Sequence, residues 1–256
     1  MGDEIPSPLY SAFADIYDAV MRDVDYPSWA HHVISLSNRF HVRVDKILDL
    51  ACGTGSLTLH LARLGYRVCG VDRSERMLHH ARCKARQANV EIPFYQGQME
   101  SFSSLGLSHD HDLVTCLYDS LNYVLDEQQV IDCFREAYDH LRPGGAFIFD
   151  VTTEYNLLHN FAGFTFAENL EDASYIWENA YNIEKKICVS KVTVFQHLNG
   201  RYLKSTEEHV QRVYPSAWLT QQLQERGFEL LGTFHNLTDE PVHERCERIH
   251  FVCRKS

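Results

Sequence analysis

From Val44 onward the chain alternates short apolar runs with helix-like stretches through five successive strand-like segments. Few folds accept such a pattern. Parallel strands need long crossovers, helices supply them, and the product is a sheet covered on both faces. Strands are expected at Lys46–Ala51, Tyr66–Asp72, Ile92–Tyr95, Asp112–Leu117 and Ala146–Val151, the last continuously apolar. Between them, Ser56–Leu64 has helical spacing (Leu57, Leu61, Leu64) and stops at Gly65. Ser74 stands as the N-cap of a helix to about Asn89, and Asp126–Leu141 is helical up to Arg142-Pro143-Gly144-Gly145.

The period then changes. Residues 154–214 carry β-rich segments at Ser174–Tyr181, Ile187–Leu198 and Arg201–Tyr214, with the hairpin signal Asn199-Gly200 between the last two. This stretch is expected to be an antiparallel insertion within one domain spanning residues 1–256, because the sheet pattern returns afterwards. A helix at Pro215–Arg226 ends at Gly227, and Phe228–Phe234 and Arg245–Arg254 form a final strand pair. The fold class expected is α/β: a doubly wound, mostly parallel, seven-stranded Rossmann-like sheet with an antiparallel β insertion. Before Val44 the chain has helical character and an aromatic face of Tyr10, Phe13, Tyr17, Tyr26 and Trp29.

Composition narrows the possible functions. An apolar fraction of 45% suffices for a core, and a net charge of −11 argues against non-specific nucleic-acid binding, which needs Lys and Arg to displace counterions. No apolar run approaches the roughly 18 residues of a membrane-spanning helix. The opening Met-Gly-Asp-Glu-Ile-Pro lacks an apolar leader core, so a cytoplasmic protein is expected, monomeric or homodimeric. The eight cysteines include no C-x-x-C pair, and adjacent histidines such as His79-His80 do not share a face. No metal site is therefore expected.

The chemistry concentrates at Ile47-Leu48-Asp49-Leu50-Ala51-Cys52-Gly53-Thr54-Gly55-Ser56. A glycine turn at the carboxyl end of the first strand lets a ligand approach the backbone, and ligands of open α/β sheets bind at that edge. Asp72 ends the second strand, where a carboxylate can accept both hydroxyls of a ribose. A nicotinamide site would want a third glycine, and Thr58 stands in its place. Asp49, inside the strand before the turn, would repel a phosphate but suits a cationic amino group.

On these residues the chain resembles the class I S-adenosylmethionine-dependent methyltransferases. Asp49–Gly55 is similar to their first motif, Gly70-Val71-Asp72-Arg73-Ser74 with Met77-Leu78 to their second, and Leu141–Gly145 to the element before their fifth strand. The Tyr-rich segment from Tyr10 to Tyr26 and Tyr118-Asp119-Ser120-Leu121-Asn122-Tyr123 look most like small-molecule members, including amino-sugar and glycine N-methyltransferases. The terminal Cys246–Lys255 resembles an uncharacterised bacterial branch. The resemblance implies S-adenosylmethionine as cofactor. Ala51, Gly53 and Gly55 would bring backbone to its methionine portion, with Asp49 supporting that loop or the amino group. Asp72 would hold the ribose, beside Arg73, and Met77 would pack on the adenine. Gln98, Met99 and Glu100 would meet the adenine edge, although many relatives have Asp where Gln98 stands. Leu117 and Tyr118 would line the methyl-transfer region, and Tyr17 would lie over it.

Methyl transfer from a sulfonium disperses charge, so positioning in a dry pocket supplies much of the rate, and a base is needed only for a protonated acceptor. Tyr17, Tyr118, Asp119 and His235 are the catalytic candidates, with Asn122, His209 and Arg212 as further acceptor-side residues. Each has a plainer alternative: Tyr17 and Tyr118 as amphipathic core aromatics, Asp119 as a turn cap, His209 as a solvated strand residue, His235 as a strand end. The expected partner is a small-molecule methyl acceptor, at nitrogen or oxygen. An RNA or protein methyltransferase and a non-catalytic cofactor-binding module are the alternatives.

Overall fold

The computed structural model describes residues 9–256; the Met-Gly-Asp-Glu-Ile-Pro segment read above lies outside the described residues. Two helices, α1 (Ala12–Val20) and α2 (Tyr26–Arg39), precede the strands β1 (Lys46–Leu50), β2 (Arg67–Asp72), β3 (Phe94–Gln96), β4 (His111–Cys116) and β5 (Leu141–Thr152). Helices α3 (Ser56–Arg63), α4 (Glu75–Gln87) and α5 (Glu127–His140) connect them. A short α6 (Glu154–Asn156) leads to β6 (Thr165–Asn169), β7 (Ala173–Asn182), β8 (Ile187–Leu198) and β9 (Arg201–Arg212). The chain ends with α7 (Ser216–Glu225), β10 (Phe228–His235) and β11 (Arg248–Lys255).

Seven strands form one sheet in the order β10-β11-β5-β4-β1-β2-β3. All run parallel except β11, which is antiparallel to both neighbours. The strand order reverses between β1 and β4, which opens a crevice beyond their carboxyl ends. Alternate residues face opposite layers. Leu48, Leu50, Val114, Phe147, Phe149 and Phe251 pack with Phe134, Leu219 and Leu223 on one side. Ile47, Leu113, Ile148 and Val252 pack with Val33, Leu36 and Leu61 on the other. Burial on both faces explains the continuous apolar runs of the central strands. Ser74, Asp25 and Asp126 cap α4, α2 and α5, each worth about 1 kcal/mol. No helix among the described residues is long and apolar enough to cross a membrane.

Three expectations need correction. β5 begins at Leu141, not Ala146: its pairing with β4 jumps from His111↔Leu141 to Leu113↔Ala146, so Arg142–Gly145 bulges within the strand instead of preceding it. Nor is it wholly apolar, since Asp150 lies fully buried within it. The antiparallel sheet has four strands, β6-β7-β8-β9, not three. The additional β6 is a short, mostly exposed edge strand without alternating burial, so no hydrophobic period announced it. Asn199-Gly200 does form the β8–β9 hairpin, with φ of 52° and 75° at its two residues.

Candidate active site

At the end of β1 the backbone enters left-handed conformation at Ala51 (φ 53°), Gly53 (φ 55°) and Gly55 (φ 72°). These residues swing the chain from the strand into α3. Gly53 is required by its φ alone, since a Cβ there would meet nothing within 4 Å. At Gly55 space matters too: a Cβ would lie 2.9 Å from the Ala81 Cβ and 3.1 Å from the Phe94 ring. Ala51 adopts the strained conformation without a glycine's freedom, as residues at functional sites often do.

The two acids flank this turn. Asp49 is buried and accepts hydrogen bonds from Thr115 Oγ1 (2.8 Å) and Thr58 Oγ1 (2.6 Å). Burial pushes its carboxyl up to about 6, against the lowering effect of the two hydroxyls. Asp72 accepts from Gly53 N and Ser74 N, both at 2.8 Å, and so ties the glycine turn to the start of α4. Burial raises its pKa as well, opposed by those two amides. Each Asp72 oxygen thus accepts one backbone hydrogen bond and retains capacity for another donor.

Both acids border one cavity of about 270 Å³. Ala51, Gly53, Arg73, Met77, Gln98, Met99, Glu100 and Leu117 line the same space. Free acceptor capacity on Asp72, the buried anion of Asp49 and apolar walls from Met77 and Leu117 fit a cationic nucleoside. Gly55 does not border the cavity; it packs the turn against α4 and β3.

The opposite wall is built around an ion network. Tyr118 (φ 62°) and Asp119 (φ 51°) are both left-handed, and Asp150 holds them there by accepting from Tyr118 N (2.6 Å) and Asp119 N (2.8 Å). Arg248 Nη2 pairs with Asp119 Oδ1 at 2.6 Å, and Arg248 Nη1 pairs with Asp150. Gln211 Nε2 donates to Asp119 Oδ2 at 2.5 Å. The guanidinium also lies over the rings of Trp29 and Tyr118, 5.3 and 5.0 Å from their centroids. Burial opposes its charge, but Asp119 and Asp150 outweigh burial and raise its pKa. Asp119 is raised by burial, with Arg248 opposing.

Aromatic side chains complete this end. Tyr10, Tyr17, Tyr26 and Tyr123 border the cavity together with Phe13 and Trp177. Burial raises the hydroxyl pKa of Tyr10 and Tyr17 well above the ordinary value, so both stay neutral. The Trp177 indole nitrogen is buried with no hydrogen-bond partner among the described residues.

Of the acceptor-side candidates, Tyr17, Tyr118 and Asp119 border the cavity. The placement of His235 is a correction: it sits at the end of β10, away from the cavity lining, with its ring 4.7 Å from that of His243. His209 is neither solvated nor at the cavity; it is buried beside Tyr10 and Phe13. Arg212 pairs with Glu127, and Asn122 braces the backbone of Arg212 and Thr152. Another correction concerns metal donors, which were not expected to group: His235, His243 and Cys246 bring their ligand atoms within 4.8 Å of one another. Sequence reasoning missed Asp150, Arg248, Gln211 and Trp177. An acid inside an apolar strand was the available signal for Asp150; Gln211 and Trp177 offered none.

Residues 47–145 match the family model described as a methyltransferase domain. A Geobacillus sp. (strain WCH70) protein classed as a methyltransferase is 36% identical over 252 residues, covering 96% of this chain and 99% of that one. The crystal structure of an S-adenosylmethionine-dependent methyltransferase from Clostridium acetobutylicum ATCC 824 superposes with a TM-score of 0.83 at 29% identity, covering 96% of this chain and 98% of that one. A Streptomyces venezuelae dTDP-3-amino-3,4,6-trideoxy-alpha-D-glucopyranose N,N-dimethyltransferase is 28% identical over 53% of this chain and 55% of its own length. Similarity along nearly the full length, joined to a cavity suited to a cationic nucleoside, means that the chain belongs to the S-adenosylmethionine-dependent methyltransferases.

Proposed function

We propose that this methyltransferase acts on a small molecule, at nitrogen or oxygen, in the tyrosine-lined half of the cavity. S-Adenosylmethionine, when bound, supplies an electrophilic methyl group. In this reading Asp49 and the Ala51–Gly53 backbone hold the methionine portion, and Asp72 holds the ribose hydroxyls. Arg73, Met77, Gln98, Met99 and Glu100 hold the adenine. Leu117 and Tyr118 border the transfer region, and Tyr17 covers it from α1. Gly55 contributes by shaping the turn.

The observation that carries the acceptor assignment is the enclosure of that half. Helix α1 and Trp177, Ser190 and Gln211 of the second sheet border it, which leaves room for a compact acceptor and supports a capping role for residues 154–214. No histidine borders the cavity among the described residues. The chain's own contribution is then to orient the acceptor against Tyr17, Tyr118 and the Arg248-bound Asp119, and to exclude water. An amine that arrives unprotonated attacks without a base, whereas a hydroxyl acceptor must pass its proton to solvent or to a neighbouring group as the new bond to carbon forms. The partly matching relative named for an amino-sugar substrate supports a small acceptor. The net charge of −11 favours one over RNA.

Two measurements test this. In isothermal titration with S-adenosylmethionine, Asp72→Ala should weaken binding by roughly 100-fold, the loss of two hydrogen bonds to a charged group. Undiminished binding would remove Asp72 from the site. In a methyl-transfer screen, small amines and hydroxylated metabolites should be methylated; labelling of RNA or protein alone would overturn the acceptor class.

A further inference from the structure

We propose that His235, His243 and Cys246 form a binding site for a divalent first-row cation of the zinc class, outside the methyl-transfer cavity. The three side chains come from the end of β10 and the connection to β11, and their donor atoms lie within 4.8 Å of one another. A tight turn brings two of them to one side: Cys246 N donates to His243 O at 3.1 Å, and His243 N donates to Cys246 Sγ at 3.0 Å. His235 gives an independent sign of a ligand, because its Nδ1 is buried with no hydrogen-bond partner among the described residues. The two imidazole rings stand 4.7 Å apart.

Two imidazoles and a thiolate select zinc-class ions over magnesium or calcium, which prefer oxygen. Tetrahedral zinc would draw the donors to about 3.3–3.6 Å apart, an adjustment within reach of the exposed His243. Among the described residues its ring accepts one hydrogen bond, from Arg245 N to Nδ1, which is long at 3.2 Å and readily exchanged. On binding, the Cys246 thiol proton passes to solvent and the sulfur bonds the cation; no electron is transferred. The fourth position is left for water.

The location gives the site a structural role. Thr153 Oγ1 donates to Cys246 O at 2.5 Å, and Asn236 N donates to Arg248 O at 3.0 Å. A cation here would clip the connection that delivers Arg248 to Asp119 and Asp150.

Titrating the full chain with Co²⁺ under reducing, chelator-free conditions tests this. One equivalent should produce a thiolate-to-cobalt charge-transfer band, displaced by Zn²⁺, and Zn²⁺ should raise the melting temperature. His243→Ala, an exposed change that spares the fold, and Cys246→Ser should weaken binding by more than about 10-fold, the lower bound for disturbing even a ligand's own partner. Cys83→Ser is the control, since Cys83 Sγ lies 3.7 Å from His79 Nε2 and offers a competing thiol–imidazole pair; it should change nothing. Absence of the band in wild type, its persistence in His243→Ala, or its loss only in Cys83→Ser would overturn the proposal.

Discussion

The two halves of the cavity are held by different means. The half around Asp49 and Asp72 is built mainly on one stretch of chain, β1 through the start of α4, with Asp72 bound to nearby backbone amides; Gln98–Glu100, Leu117 and the Thr115 hydroxyl on Asp49 are added from the ends of the neighbouring strands. The half around Asp119 is assembled from α1, α2, the β4–α5 link, β5, the second sheet and β11. Local construction makes the first half a property of a short motif. Remote construction makes the second half depend on the whole fold, and on buried charges that must stay paired.

The largest test of that contrast is Arg248→Met. It leaves Asp119 and Asp150 buried without their counter-charge, and removal of one partner from such a network costs about 3–5 kcal/mol. Urea unfolding should show a loss of that size, and methyl transfer should fall while the folded fraction still binds S-adenosylmethionine. An unchanged unfolding midpoint would mean that the second half does not rest on this network.

Asp49 provides the next test, through pH. Its folded-state pKa is about 6, above the ordinary 3.8, so the folded chain holds this proton more tightly than the unfolded one. Below about pH 4 the group exerts no penalty; as pH rises through about 6, stability is lost, by up to about 3 kcal/mol. Asp49→Asn should therefore gain on wild type across that interval in unfolding experiments. Wild-type affinity for S-adenosylmethionine should weaken as acid neutralises Asp49, and the variant should lack that dependence. Parallel pH profiles for the two proteins would refute a buried, ionisable role.

A smaller effect is expected at Glu207. This buried carboxylate on β9 accepts from Ser11 N (3.1 Å), Ser11 Oγ (2.8 Å) and Phe13 N (2.9 Å), and so caps α1 from the second sheet. Glu207→Gln should cost about 1–2 kcal/mol and speed amide exchange in α1. Exchange confined to its wild-type rate would show that α1 stays over the cavity without the second sheet.

Much of the first half was legible in the sequence because its signals are short-range. Asp49, Ala51, Gly53 and Asp72 fall within one strand–turn–helix and the following strand end, where glycine spacing and strand polarity specify position. Tyr17, Tyr118 and Asp119 also reach the cavity, from an aromatic helix and from the end of β4. His235 does not: its place at a strand end resembled that of a site residue, but β10 is an edge strand separated by β11 and β5 from the reversal at β1 and β4. His209 looked solvated by strand alternation, yet α1 folds over that face and buries it. No local pattern could say that a helix from the N-terminal region would lie there.

By itself, the sequence determined the parallel sheet, its glycine turn and the paired acids, since hydrophobic period and backbone freedom act over a few residues. The tertiary structure alone decided that Arg248 would neutralise Asp119 and Asp150, that Glu207 would cap α1, and that His235, His243 and Cys246 would meet. Those outcomes depend on charges and donors far apart in the chain, which become partners only after burial has removed water from between them.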